Sequence, residues 1–178
     1  MEALGRAQAC EAAGDHVGAL EWVKPWAEAV HGPGTAGLQQ LLIVSLKRLN
    51  RHDEAEAALA RYASAHPCYP MEAVVTGAIA WSEGDWMTVL LAYLEAITWE
   101  PALQDLWPRV QVAATRLEGE RECDKNDIER LKGLINRVAV TELTNDGMAV
   151  LGTVVSVLPV DGEMEQARAT VLERAKLS

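Results

Sequence analysis

The chain of 178 residues contains no phenylalanine, and only 5% of its residues are aromatic. It is poor in cysteine. Cys10, Cys68 and Cys123 are scattered and odd in number, with no CxxC pair. That excludes a disulfide framework and fits a reduced compartment. Positive charge is scarce too: 16 Lys and Arg stand against 26 Asp and Glu, for a net charge of −10. Broad attraction to phosphate backbones or anionic lipid is therefore not expected, and neither is a nucleic-acid partner. Long apolar runs are missing. The longest, Met148 to Val160, falls short of the roughly 18–20 residues that span a bilayer. Membrane insertion is not expected. The first residues carry acidic Glu2 and no positive-then-apolar signal pattern. The expectation is a soluble, cytoplasmic protein.

Alanine and leucine dominate what is present, a balance that favours helices. Apolar residues recur at helical spacing almost throughout. Ala3, Ala7 and Cys10 share a face. Val17, Leu20, Val23 and Ala27 form a second stripe. Leu38, Leu41, Leu42, Leu46 and Leu49 form a third, and Ala55, Ala58, Leu59 and Tyr62 a fourth. Breaks separate them at Gly14-Asp15, at "HGPGTAG" (His31 to Gly37), at Asn50 to Asp53 and at "HPCYP" (His66 to Pro70). The pattern then repeats from Met71 to Ser82, turns at Glu83-Gly84-Asp85, and runs to Thr98.

These breaks have a period. Gly14, Asn50 and Gly84 are the turn residues, about 34–36 positions apart. Gly and Asn are the residues that most readily take a left-handed conformation at a helix C-terminus. Pro67 and Pro101 close successive units one period apart. A period in this range with two helices per unit points to a helical solenoid.

The chain here resembles the tetratricopeptide repeat family, whose pattern is W-x2-L-G-x2-Y, A-x3-F and a closing P. The third unit places Ala73, Gly77, Ala80, Val89, Tyr93 and Pro101 in those slots. The second supplies Ala55, Leu59 and Pro67, and the first Ala7, Ala19 and Val23. Trp107 and Val110 continue the register. Gly162, Ala167 and Val171 anchor a last unit. Ile43 occupies the second unit's Gly slot, and "EGERECDK" (Glu118 to Lys125) is too long and too charged for a tight turn. The resemblance is good over residues 1–101 and loose beyond. It implies a single all-α domain over residues 1–178, a right-handed solenoid of four to five antiparallel helix pairs. The units are about 1–33, 36–67, 70–101, an irregular 102–144, and 145–178 with a capping helix.

Signals of chemistry are weak. Gly32-x-Gly34-x-x-Gly37 matches a dinucleotide-binding pattern but follows a helix-like segment, with no strand before it. "DKNDIE" (Asp124 to Glu129) begins like a calcium loop but lacks its later ligands, and reads as a helix N-terminus with favourable acidic residues. His16, His31, His52 and His66 have no metal-binding spacing. No nucleophile motif is present. No catalytic residue, metal or cofactor is assigned.

The six tryptophans are Trp22, Trp26, Trp81, Trp86, Trp99 and Trp107. They read first as helix-packing residues. Trp81 is the foremost candidate for an interface anchor. The resemblance implies that first helices line a concave groove, which here would comprise Leu4, Gln8, Glu11, Gln40, Val44, Lys47, Met71, Val74, Ala78 and Trp81. The carboxylate clamp of some relatives is absent. The expected ligand is a protein or peptide segment with an apolar face. The chain is expected to be a non-enzymatic adaptor, scaffold or chaperone; the alternative is a permanent subunit of a larger assembly. The apolar helix from Met148 must be covered by the preceding helix (Asn126 to Leu143) or by a partner, which makes the fourth and fifth units a second candidate interface. Glu118 to Lys132 is expected to be an exposed loop entering a helix.

Overall fold

The computed structural model describes residues 2–29, 35–117, 124–139, 145–157, 169, 171 and 173. Several sequence features lie wholly or partly outside these residues: the start of the "HGPGTAG" loop, most of the charged "EGERECDK" stretch, the ends of the Asn126–Leu143 and Met148–Val160 segments, and Gly162 and Ala167 with most of the expected capping helix. The described chain is all-α, with nine α-helices and one short 3-10 turn at Gln104–Leu106. The helices are α1 (Glu2–Ala12), α2 (His16–Ala29), α3 (Ala36–Arg48), α4 (His52–Ala65), α5 (Met71–Glu83), α6 (Trp86–Trp99), α7 (Trp107–Leu117), α8 (Lys125–Ala139) and α9 (Asn145–Val157). They fall into two compact units, Met1–Val75 and Thr76–Ser178, and α5 carries the boundary.

Three turns share one geometry. Among the described residues, the backbone has positive φ at Gly14 (76°), Asn50 (57°) and Gly84 (76°) and nowhere else. Each of these residues donates its N–H three residues back: Gly14 to Glu11, Asn50 to Lys47 and Gly84 to Trp81, at 3.0, 3.0 and 3.3 Å. The following residue donates five back: Asp15 to Cys10, Arg51 to Leu46 and Asp85 to Ala80, at 2.9, 2.9 and 3.0 Å. This pair of bonds is the Schellman motif, which satisfies carbonyls that the helix end leaves open. The next helix starts at once. Asp15 Oδ1 accepts from Gly18 N–H at 2.9 Å, and Asp85 Oδ1 from Thr88 N–H at 3.1 Å. The recurring Gly-Asp pair is therefore a helix stop followed by a helix start. Arg51 cannot accept such a bond. Its guanidinium instead clasps Glu54, at 2.6 and 2.7 Å.

The turn geometry sets a prediction. A Cβ at Gly14 would meet nothing within 4 Å, so only the backbone opposes one. Gly14→Ala is expected to cost about 1–2 kcal/mol. Asn50→Gly, which relaxes the same conformation, is expected to stay within about 0.5 kcal/mol of the parent. Urea midpoints measure both, and an unchanged midpoint for Gly14→Ala would contradict the account.

In the first unit each helix packs on its sequence neighbour, α1 on α2, α2 on α3 and α3 on α4, and α1 also touches α3. Its core includes Ala7, Ala19, Leu20, Val23, Ala27, Leu42, Ile43, Leu46, Ala55, Ala58 and Tyr62. These are small and aliphatic residues at helical spacing, and their burial is the main favourable term. Gln39 is buried with them. Its side-chain N–H donates to the carbonyl of Ala27 at 2.6 Å, tying α3 to the end of α2. Val17 departs from the expected stripe and lies exposed, because Leu20, Val23 and Ala27 define the packed face of α2 and Val17 falls to its side.

In the second unit α6 packs on α7 and α8, and α9 packs on α7 and α8. Gly77 in α5 lies under the Tyr93 ring of α6, close enough that a Cβ would stand 2.3 Å from Cε1. Trp107 is buried and packs on α9, where a Cβ at Gly147 would stand 2.9 Å from its Cε2. The "DKNDIE" stretch opens α8 as expected, with Asp124 Oδ1 accepting from Asn126 N–H at 2.7 Å. Pro67 and Pro101 each stand two residues beyond a helix, α4 and α6. Val171 is buried.

Candidate partner-binding surfaces

The structure sorts the ten groove candidates into three groups. Gln8 is exposed. Leu4, Glu11, Gln40, Lys47, Ala78 and Trp81 are half-buried. Val44, Met71 and Val74 are buried, so their side chains offer a partner nothing in this structure. For Val44 the reason is coverage. α3 packs against α1, α2 and α4, and the whole run Leu42 to Leu46 is buried. A helix covered on three sides has no open face at its middle. Met71 and Val74 are apolar, and the hydrophobic effect takes them into the core of the fold.

Within the first unit, Leu4 and Glu11 belong to the α1–α3 contact. A Cβ at Gly37 would stand 3.7 Å from the Leu4 methyls, so Leu4 lies along α3. Glu11 Oε1 accepts from the Ser45 hydroxyl at 2.5 Å, and Oε2 lies 3.1 Å from His16 Nδ1. Ser45 is fully buried. Glu11 thus acts as a bracket between α1, α3 and the start of α2. Gln8, Gln40 and Lys47 are the members of the set in this unit that remain accessible on the first-helix face.

The larger apolar surface of this unit is on α2. Trp22 is 40% and Trp26 54% exposed, with exposed Pro25 between them. The Arg6 guanidinium sits 4.6 Å from the centre of the Trp22 ring and pairs with Glu2 at 2.6 Å. The two indoles are thus surface residues, not the helix-packing residues that their sequence suggests. The signal was available, because neither tryptophan falls on the Leu20, Val23, Ala27 stripe. A small cavity of about 160 Å³ also opens in this unit, lined by Lys24, Leu42, Leu46, Glu54, Ala57 and Arg61. Hydrogen bonding to Arg51 holds the Glu54 carboxyl below the usual carboxylate range.

In the second unit, Trp81 is not a lone anchor. Its ring meets that of Trp86 edge-on, with centres 5.4 Å apart. Arg109 lies 6.0 Å from the Trp81 ring centre and 5.9 Å from that of Tyr93, and donates to Tyr93 Oη at 3.0 Å. Arg116 lies 5.7 Å from the Trp86 ring centre. Burial raises the Tyr93 phenol above its usual range, and the neighbouring guanidinium works against that rise. Trp99, at the end of α6, is 69% exposed.

Among the described residues, no group of three His, Cys, Asp or Glu is placed to hold a metal ion. No described helix is long and apolar enough to cross a membrane. Comparison with protein-family models, curated proteins and solved structures finds no match to this chain.

Proposed function

We propose that this chain is a non-enzymatic protein-binding module of the tetratricopeptide kind. It acts as a cytoplasmic adaptor, scaffold or chaperone that holds an apolar segment of another protein. Three recurring helix-stop, helix-start turns support the repeat reading. The observation that carries the functional reading is the pair Trp22 and Trp26, left open on one helix beside an arginine. Tryptophan and arginine are the residue types most enriched among binding hot spots. Open indoles on a free chain also favour a second reading, a permanent subunit whose tryptophans are covered in its assembly.

The test is capture of the tagged chain's partner from native extract, with light scattering on the purified chain. The arms are wild type, Trp22→Ser/Trp26→Ser and Gln40→Arg/Lys47→Glu. One partner lost in the tryptophan variant puts the contact on α2. Loss in the other variant puts it on the first-helix face. A partner displaced by excess untagged chain marks an adaptor. A stoichiometric partner that does not exchange, with an isolated chain that aggregates, marks a permanent subunit. A soluble monomer that captures nothing would overturn both readings.

A further inference from the structure

One face of α2 keeps two oxygen acceptors open among apolar side chains. Val17, Glu21 and Pro25 are exposed and follow one another at four-residue steps, so they form a ridge with about 6 Å between members. The exposed indoles of Trp22 and Trp26 stand beside this ridge. Pro25 lies inside the helix. It has no N–H, so the Glu21 carbonyl lacks the donor that an α-helix would give it. Glu21 therefore offers a main-chain carbonyl and a side-chain carboxylate at one place.

Among the described residues, the Glu21 side chain makes no ion pair. The nearby cations are committed elsewhere. Arg6 pairs with Glu2 at 2.6 Å and lies over the Trp22 ring. Lys24 lines the cavity that it shares with Leu42, Leu46 and Glu54, on the side of α3 and α4. In sequence, residues 30–34 add no Lys or Arg, and Glu28 adds one more acidic residue to α2. The net charge of −10 attracts a cationic segment. It opposes an acidic segment, a nucleic acid and a second copy of the chain alike.

We infer that this face of α2 docks a basic, apolar segment of a partner protein, in which one arginine reaches Glu21 and an apolar residue lies on each side of it. In an extended segment every second side chain points the same way, about 6.6 Å apart. That repeat matches the ridge. A segment of the form apolar-x-Arg-x-apolar places its first apolar residue on Val17, its arginine at Glu21 and its last apolar residue on Pro25. The guanidinium has five N–H donors. Two meet the carboxylate side by side, and another meets the freed carbonyl. Trp22 and Trp26 wall the contact and keep water from it. The inference rests on the reading of the chain as a protein-binding module, and it names the chemistry of the segment held at the two tryptophans.

The probe is an unlabelled peptide, Gly-Leu-Ser-Arg-Ser-Leu-Gly, acetylated and amidated so that the arginine is its only charge. It is titrated in low salt into isotope-labelled protein, and the indole N–H signals of Trp22 and Trp26 read occupancy by NMR. Saturable shifts with Kd below about 1 mM are expected. The peptide with Gln for Arg should bind at least about threefold more weakly, as should the Glu21→Gln protein, and added salt should weaken binding. Glu56→Gln, which removes an exposed carboxylate of α4, should leave binding unchanged. Pro25→Ala returns an N–H to the Glu21 carbonyl, so it should melt higher and bind more weakly. Thermal melts of every variant confirm that it is folded. No saturable shift, equal binding of the Gln peptide, or no loss in folded Glu21→Gln or Pro25→Ala overturns the inference. So does equal loss in Glu21→Gln and Glu56→Gln, which would show only general attraction to an acidic chain. Signals that shift when the protein alone is concentrated, with a dimer by light scattering, overturn it in favour of a second copy. Should the peptide fail while capture from extract still depends on Trp22 and Trp26, only this inference falls. Should extract yield no partner, the module reading falls separately.

Discussion

Gly77→Ala is expected to destabilise the protein by about 1–3 kcal/mol, the range for overpacking a closed site. The added Cβ would stand 2.3 Å from Tyr93 Cε1, 2.6 Å from Cδ1 and 2.8 Å from Cζ. All three atoms belong to one rigid ring. That ring is fully buried, and its hydroxyl accepts from Arg109 at 3.0 Å. It cannot swing aside as a surface lysine would. Helix propensity runs the other way, since alanine in a helix is favoured over glycine by about 1 kcal/mol. A net loss would therefore show that close approach outweighs propensity here. Urea unfolding reads the effect. Tyr93→Leu supplies the control: it replaces the ring with a flexible side chain, so the cost of Gly77→Ala should be smaller in that background than in the parent. An equal cost in both backgrounds would show that the Tyr93 ring is not what Gly77 accommodates. A small residue on α5 is what admits the large ring from α6.

Glu11→Ala is expected to cost about 1–3 kcal/mol, because it strands the Ser45 hydroxyl. Ser45 is fully buried on α3, and the Glu11 carboxylate accepts its hydrogen bond. Removing the acceptor takes away the hydrogen bond that satisfies this buried donor. The reverse change is milder. Ser45→Ala leaves a carboxylate whose side chain is 14% exposed and still faces His16, so water and the imidazole can serve it. The double change should recover part of the loss, since both polar partners then go together. Urea midpoints of the four proteins close the cycle. If Glu11→Ala lies within about 0.3 kcal/mol of the parent, the bracket is not holding α1 to α3. The same result bears on function. A glutamate expected to face a partner is already committed inside the unit, so binding studies that mutate it would measure folding rather than contact.

Much of the local structure was legible in the residues. The two Gly-Asp pairs and Asn50-Arg51 mark the three turns because each depends on one left-handed residue and on bonds within six positions. The acidic start of α8 and the prolines beyond α4 and α6 are equally local. The stripe of Leu20, Val23 and Ala27 follows from helical spacing. Individual surfaces were much less legible. Trp22 and Trp26 have the same chemistry as the buried Trp107, and periodicity told packing from exposure only when read against the neighbouring stripe. Val44 points to an open face only if α3 has a single partner, whereas α1, α2 and α4 all pack on α3.

The sequence by itself determined where helices stop and start, and that the described chain is all-α. Those properties are set by backbone conformation, capping and apolar period, each of which acts over a few residues. Only the tertiary structure decided which faces remain open. Arg109 reaches Trp81 across 28 positions of sequence, and Ser45 reaches Glu11 across 34. No local rule contains those distances. They come from the way helices stack, and stacking exposes one indole and buries another of identical chemistry.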